Sequence, residues 1–319
     1  MADDPKDPAQ LGNIVTNLPA ARAAKTINPN SRAYRRLVKP IGEDEADNKQ
    51  RLSFQHTVFC QTGLPYRNPG DEVREWKRQQ GAVSLLVEAG QAQIPKTGEW
   101  VKLGLPWGTK PRLILAHLNT EALKHQSPII EVEGSLSAFV KRIRHFNGGR
   151  EIRAFKDQLS RLSVAVVRLA ATHEGQGFQI NSTVIGGFAL WPELDERHRV
   201  LWPSAIRLSD DYFRSLQEHA VPVNEDDLAA LAHSALALDI YCWLAQRLHR
   251  VDPLRPVFIQ WPAIKAQFGS EYGRMNNFKV EFLLALRQVL ARYQRARIDV
   301  ESGGLRLHAS LPPVRKLLR

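Results

Sequence analysis

The sequence predicts an α+β fold, with tandem winged-helix domains preceded by a mostly disordered N-terminal arm. Two observations carry this prediction. The order helix, short strand, helix, turn, basic helix and hairpin occurs twice, and this order is typical of winged helices. The start of the chain is instead rich in Asp, Pro, Ala, Asn and Arg, with few large apolar side chains. The predicted parts are residues 1–50 (arm), 51–208 (first domain) and 209–319 (second domain).

Length and charge narrow the class of partner. The chain has 319 residues, a formal net charge of +11 and a pI of about 9.8. Such a charge favours a polyanion, because neutralising phosphates releases their counterions. The sequence contains no long apolar run or basic amphipathic anchor, and its beginning, MADDPKDPAQ, lacks the apolar core of a signal peptide. We therefore expect a cytoplasmic protein that does not contact membranes.

The first domain is expected to begin with a small sheet. Residues 57–64 and 82–88 have the apolar, β-branched pattern of strands, and residues 91–103 add a short strand or a loop. The two cysteines, Cys60 and Cys242, lie far apart in apolar surroundings and are expected to be buried free thiols.

The first helix–strand–helix–turn–helix unit begins at Gly104. Residues 111–124 are apolar nearly all round, so this helix should be buried. A short strand (129–132), a second helix (135–143) and a glycine turn (147–149) follow. The next helix carries apolar residues on one side and arginines on the other, which fits either a recognition helix or a solvated amphipathic helix. Strands at 164–170 and 178–190 should form a wing, and a strand at 200–208 should close the domain.

The second domain repeats this plan. Helix-capping residues are expected at 209–211 and 224–227, where paired acids satisfy helix N-termini. A long, largely apolar helix should run over 228–248, with Asp239 near its apolar stripe and therefore paired with an arginine or close to an edge. A strand (256–261), a short helix (262–268), a turn (269–277), a basic helix (278–293) and a hairpin (297–301 with 305–308) complete the unit.

DNA contacts are expected on the helix–turn–helix segments and the second hairpin. Arginine pairs bidentately with guanine and asparagine with adenine, so Arg274, Arg287, Asn276 and Asn277 are the base-contacting candidates. The full set of candidate DNA-binding residues is Arg150, Arg153, Arg161, Lys265, Arg274, Asn276, Asn277, Lys279, Arg287, Arg295 and Arg306.

Several motifs resemble those of RepA-type plasmid replication initiators. They are LPYRNP (64–69), GLPWGTKPRLILAHLNTEAL (104–123), GSLSAFVKRI (134–143), GGR (148–150), FKVEFLLALRQVLARY (278–293) and GLRLHASLPPV (304–314). The chain departs from the family pattern at Tyr66, His117 and Gln294. The resemblance implies binding to repeated double-stranded sites at a plasmid origin, opening of the adjacent duplex and recruitment of host replication proteins such as a helicase. It also implies a homodimer formed through the first domain, in exchange with the monomer.

Other chemistry finds no support in the sequence. No His-x-His pair of a DNA-nicking initiator, no Walker A motif and no zinc-spaced cysteine pair occurs, so no catalytic residue, metal or cofactor is predicted. Two alternatives to the initiator remain: a transcriptional repressor that uses the same surfaces, and a protein-interaction scaffold.

Overall fold

Helices and strands are both present in this computed structural model, which describes residues 51–81, 83–94, 97–131, 149–173, 176–180, 183–190 and 203–314. The predicted α+β class is confirmed for these residues. The arm predicted over 1–50 and the helix predicted over 135–143 lie outside them. The described residues all belong to one compact unit, and the boundary predicted at 208/209 stays a prediction.

The N-terminal part begins with a strand followed by a short helix. The elements are β1 (Leu52–His56), α1 (Thr57–Gln61), β2 (Glu75–Gln80), β3 (Val83–Glu88), β4 (Gln91–Gln93) and β5 (Trp100–Lys102). The strand predicted over 57–64 is wrong, because the His56 ring accepts the Val58 amide at 3.2 Å and thereby caps a helix at this point. The strand predicted over 82–88 is confirmed as β3.

The next helix of the first half of the chain (residues 51–208) is largely buried. It is α2 (Thr109–His125), and residues 111–119 are all buried, as its apolar pattern predicts. The short strand β6 (Ile129–Glu131) follows, and the amphipathic helix predicted after the glycine turn is α3 (Gly149–Val164). Of the predicted apolar side of α3, Phe155, Leu159 and Leu162 are buried, whereas Ile152 in its first turn is 45% exposed.

The next four strands described after α3 divide between two sheets. They are β7 (Val166–His173), β8 (Gln176–Ile180), β9 (Ile185–Leu190) and β10 (Pro203–Leu208). The sheets have the orders β2-β3-β7-β8 and β6-β10-β9. The hairpin β7–β8, predicted as a wing, therefore extends the N-terminal sheet instead. The physical reason is that β7 alternates buried apolar residues in register with β3, so that Val167 faces Val87 across the sheet.

The second half begins with α4 (Asp210–His219), β11 (Ala220–Asn224), α5 (Glu225–Leu231) and α6 (Ala235–Arg247). The single long helix predicted over 228–248 is wrong at its start. Ser234 interrupts the helix, since its hydroxyl accepts the Ala237 amide at 3.2 Å and begins a new one. Strand β11 pairs antiparallel with β1, and Asn224 caps α5 as predicted.

The remaining elements form a separate three-stranded sheet with two helices. They are β12 (Val257–Gln260), α7 (Trp261–Phe268), α8 (Met275–Arg292), β13 (Ile298–Val300) and β14 (Gly304–Leu307), with the strand order β12-β14-β13. Aromatic rings pack α8 onto α7, with Phe282 lying 5.9 Å from Trp261 and 5.7 Å from Phe268. Gly269 permits this packing, because a Cβ there would lie 2.3 Å from a ring carbon of Phe278.

A buried histidine links the two halves. His56 is fully buried, its ring stacks on Tyr212 at 5.2 Å, and its Nε2 lies 3.0 Å from the Ser215 hydroxyl. Since Nδ1 accepts the Val58 amide, Nε2 carries the proton and donates to Ser215. Burial, assisted by nearby His219, lowers the pKa of His56 to about 3.

This histidine predicts a loss of stability in mild acid. Only the unfolded chain takes up a proton on this ring between its unfolded pKa of about 6.5 and its folded value. We expect the free energy of unfolding to fall by about 1.4 kcal/mol from about pH 7.5 to about pH 5.5 on this account. Urea denaturation across this range measures it. A His56→Asn control, which keeps an acceptor for the Val58 amide, should show a flatter dependence, and equal slopes would refute the assignment.

Candidate nucleic-acid interface

Helix α8 lies on the surface of the second half with two unlike faces. Its inner face carries Phe278, Phe282, Ala285, Leu286 and Val289, all of which are buried. At about 100° per residue, the opposite face is formed by six residues that are exposed or half-buried: Asn276, Asn277, Val280, Leu284, Arg287 and Ala291.

Several predicted site residues lie on α8 or in the segments just before it. Arg274 is exposed and precedes the first turn, where its side chain forms no capping hydrogen bond. Asn276 and Asn277 are exposed within that turn, which contains no acidic residue. Lys265 is half-buried in the last turn of α7, and Arg287 is exposed on α8. The described part of this region thus presents arginine and asparagine side chains with the donors and acceptors needed at base edges.

Two of the predicted cations already have aromatic partners. The Lys279 ammonium lies 5.0 Å from the centroid of the Trp261 ring, so the lysine stem covers the α7–α8 contact. Arg306 lies over Phe258 at 5.3 Å, and its Nε donates to Glu301 at 2.6 Å. These side chains are therefore held in place on the protein surface, and a phosphate would compete with their existing contacts.

Two basic side chains in and beside the hairpin β13–β14 are paired with carboxylates. The Glu301 carboxylate is bound by Arg306, and the Asp299 carboxylate lies 2.7 Å from the His308 ring. Arg292 is not available either, since its Nε lies 3.0 Å from Asp227 and its side chain is only 15% exposed. Arg295, by contrast, is exposed just after α8. Among the predicted site residues of the second half, the exposed arginines are thus Arg274, Arg287 and Arg295.

The predicted residues of the first half lie on α3. Arg150 and Arg153 are exposed on its first turns. Arg161 is only 14% exposed and is bound by two carboxylates, those of Asp157 at 3.0 Å and Asp71 at 3.2 Å. The structure therefore places Arg161 in a contact between α3 and the loop before β2, whereas the other two arginines face outward.

A buried ion pair joins the motif at 104–123 to the second half. The Arg112 guanidinium binds Asp239 with both prongs, at 2.6 Å from Nε and 2.8 Å from Nη2. Of the two environments predicted for Asp239, a pair with an arginine or a place near an edge, the structure shows the pair. The partner was not predicted, although an arginine within an otherwise apolar helix was a usable signal. Gly63 allows the close approach, because a Cβ there would lie 2.4 Å from the Asp239 carboxylate.

Arg112 also binds the backbone of the LPYRNP motif. Its Nη2 donates to the Leu64 carbonyl at 2.7 Å, and its Nη1 donates to the Gly108 carbonyl at 2.6 Å. Burial disfavours the cation, but the adjacent Asp239 carboxylate outweighs it and raises the pKa of Arg112. Two of the family-like motifs of the first half, at 64–69 and 104–123, therefore meet at one side chain.

The turn before α8 is held by the first half of the chain. The Tyr66 amide donates to Glu271 at 3.3 Å, and the Arg78 guanidinium donates to the Ser270 hydroxyl. The Gln267 side chain donates to the Gln61 carbonyl at 2.9 Å. These contacts hold α7 and the turn that leads to Arg274 and α8 against the first half of the chain.

Comparison with protein families bears on these motifs. Residues 105–261 match the family described as plasmid encoded RepA protein. The predicted resemblance to RepA-type proteins is confirmed for these residues. The match spans just under half of the chain, from the start of the GLPWG motif through α2, Arg112 and Asp239 to the first residue of α7. Helix α8 lies outside the matched residues.

Curated proteins and solved structures add little. No curated protein matches the chain. A crystal structure of SeMet derivatives of domains 2 and 3 of RctB covers 79% of this chain and 95% of its own, at 11% identity and a TM-score of 0.46. Another crystal structure of RctB domains 2–3 covers 78% and 94%, at 11% identity and a TM-score of 0.45.

The remaining observations concern the cysteines, metal-binding groups and long apolar helices. Cys60 and Cys242 are buried free thiols, as predicted. Among the described residues, no group of three or more His, Cys, Asp or Glu side chains is placed to hold a metal ion. Within the same residues, no helix has both the length and the apolar character required to cross a bilayer.

Proposed function

We propose that this protein is a plasmid replication initiator. It binds repeated double-stranded DNA sites at an origin, promotes opening of the duplex and recruits host replication proteins such as a helicase. The observation that carries the proposal is the exposed Asn/Arg face of α8, presented after a helix and a turn and before a hairpin. The RepA match over residues 105–261 supports the plasmid setting.

The proposal includes two winged-helix units. In the second half, α6, β12, α7, α8 and the hairpin β13–β14 follow the winged-helix order, and the sheet order is first strand, third strand, second strand. The first half has the same strand order in β6-β10-β9, so β9 and β10 take the place of the hairpin in this unit. The repeated sheet order supports tandem units, with α8 and α3 as the helices that approach the major groove.

The proposed role is binding rather than catalysis. The outward face of α8 carries one arginine, two asparagines and small or branched apolar side chains, which suit groove recognition. Homodimerisation through the first half, in exchange with the monomer, is part of the proposal. So is a cytoplasmic location, where a plasmid origin and the host helicase are present.

Replication in trans tests the proposal. A plasmid carrying only the candidate origin, with directly repeated segments of about two helical turns beside an A·T-rich tract, should replicate when the full chain is supplied. Fluorescence anisotropy should detect specific binding of the chain to the repeats, weakening steeply with salt.

The same experiments separate the alternatives. Specific binding without replication would favour the repressor, because a repressor needs the DNA-contacting surfaces alone. Absence of any salt-dependent binding to duplex DNA would favour the scaffold and overturn the proposal.

A further inference from the structure

Helix α8 carries an apolar strip on its outward face. Val280 and Leu284 are half-buried there, one turn apart. The other half-buried apolar residues of α8, Met275, Leu283 and Leu290, pack against the hydrophobic core. Within the described chain, Val280 and Leu284 are not among the residues that do so. A helix could place polar residues at these positions without cost to its core, so the strip indicates a partner with apolar groups.

The surroundings of the strip restrict that partner. Asn277 and Arg287 flank it within about 100° of the helix circumference, and Arg274 immediately precedes the first turn of α8. A purely apolar protein surface would bury the Asn277 amide without giving it a hydrogen-bond partner. The major groove of duplex DNA matches both features, because thymine methyl groups lie there beside the acceptors and donors of the base edges.

We infer that Val280 contacts the C5-methyl group of a thymine in the major groove, with Leu284 contacting a second apolar edge one turn further along. This inference rests on the proposed DNA-binding function and adds the class of base that α8 selects. Asn277, at three residues before Val280, lies on the same face and can pair with the adenine of the same or the adjacent base pair. The strip thus gives preference for A·T pairs, which hydrogen bonds from the arginines do not provide.

Deoxyuridine substitution tests the contact directly. A duplex bound by the full chain is first selected from a randomised pool, and each thymine in it is then replaced singly by deoxyuridine, which lacks only the methyl group. We expect the affinity of the unaltered protein to fall roughly three- to tenfold at one or two positions, the range for loss of one buried methyl contact. The Val280→Ala protein should bind the thymine duplex more weakly and lose no further affinity at the critical deoxyuridine.

Two controls make the test decisive. Val73→Ala removes the same atoms from a valine that is 39% exposed outside α8, and it should retain full sensitivity to deoxyuridine. Val280→Thr keeps one methyl group and should retain part of the sensitivity to deoxyuridine.

If deoxyuridine has no effect at any position, or the same effect on the Val280→Ala protein, the inference is wrong. A change of oligomeric state in Val280→Ala without deoxyuridine sensitivity would identify a second copy of the chain as the occupant and also overturn it. If no duplex is enriched from the pool, the proposed function itself fails.

Discussion

Replacement of Asp239 by alanine is expected to lower the free energy of unfolding by about 3–5 kcal/mol. The Asp239 and Arg112 side chains are 10% and 7% exposed, so the substitution leaves a guanidinium buried without its counter-charge. A loss of this size is a large part of the roughly 5–15 kcal/mol that stabilises an ordinary domain. Urea denaturation followed by circular dichroism measures it as a shift of the unfolding midpoint to lower urea concentration.

The exposed pair Arg207–Asp210 provides a matched control. Its side chains are 56% and 65% exposed, so Asp210→Ala should cost under about 1 kcal/mol. A cost for Asp239→Ala no greater than this would show that the buried pair does not hold the two halves together. A double-mutant cycle with Arg112→Met separates the pair from the backbone contacts, because removal of the arginine should cost much less once the carboxylate is absent.

The burial of α2 and the capping residues could be predicted from the sequence, because both depend on local patterns. A helix that is apolar on all sides has no solvent-facing stripe, and Asn224 and Ser209 cap helices through their own side chains. The same reasoning failed for 57–64, where an apolar run was assigned to a strand. A helix forms there because His56 accepts an amide hydrogen bond in a setting supplied by Tyr212 and Ser215, more than 150 residues away.

Strand pairing and charge pairing were the main features that could not be predicted from the sequence. The β7–β8 hairpin has the sequence of a wing, and only its register with β3, about 80 residues earlier, places it in the other sheet. Similarly, the basic pattern of the helix 149–164 identified Arg161 without revealing that Asp71 binds it. A linear pattern gives residue types and spacing, whereas the partner of a charged side chain depends on loops that the fold brings together.

Substitution of Arg274 by alanine is expected to reduce the discrimination between the selected duplex and a random duplex by about 1–3 kcal/mol, or roughly 5- to 150-fold. Arg274 immediately precedes α8, is exposed and makes no capping hydrogen bond, so its guanidinium is free to bind a guanine edge. The measurement is competition binding at fixed salt, with the labelled selected duplex displaced by either itself or the random duplex.

A salt series distinguishes a base contact from a phosphate contact at this arginine. A phosphate contact would weaken both duplexes alike and reduce the slope of log affinity against log salt by about one. Equal losses on the two duplexes would therefore refute base contact by Arg274. Arg214→Ala is the matched control: it removes one exposed arginine from α4, where Arg214 lies 3.7 Å from Asp211, and should leave the discrimination unchanged. Because Tyr66 and Arg78 hold the turn that precedes α8, loss of discrimination confined to Arg274→Ala would locate base recognition at the one end of α8 that the first half supports.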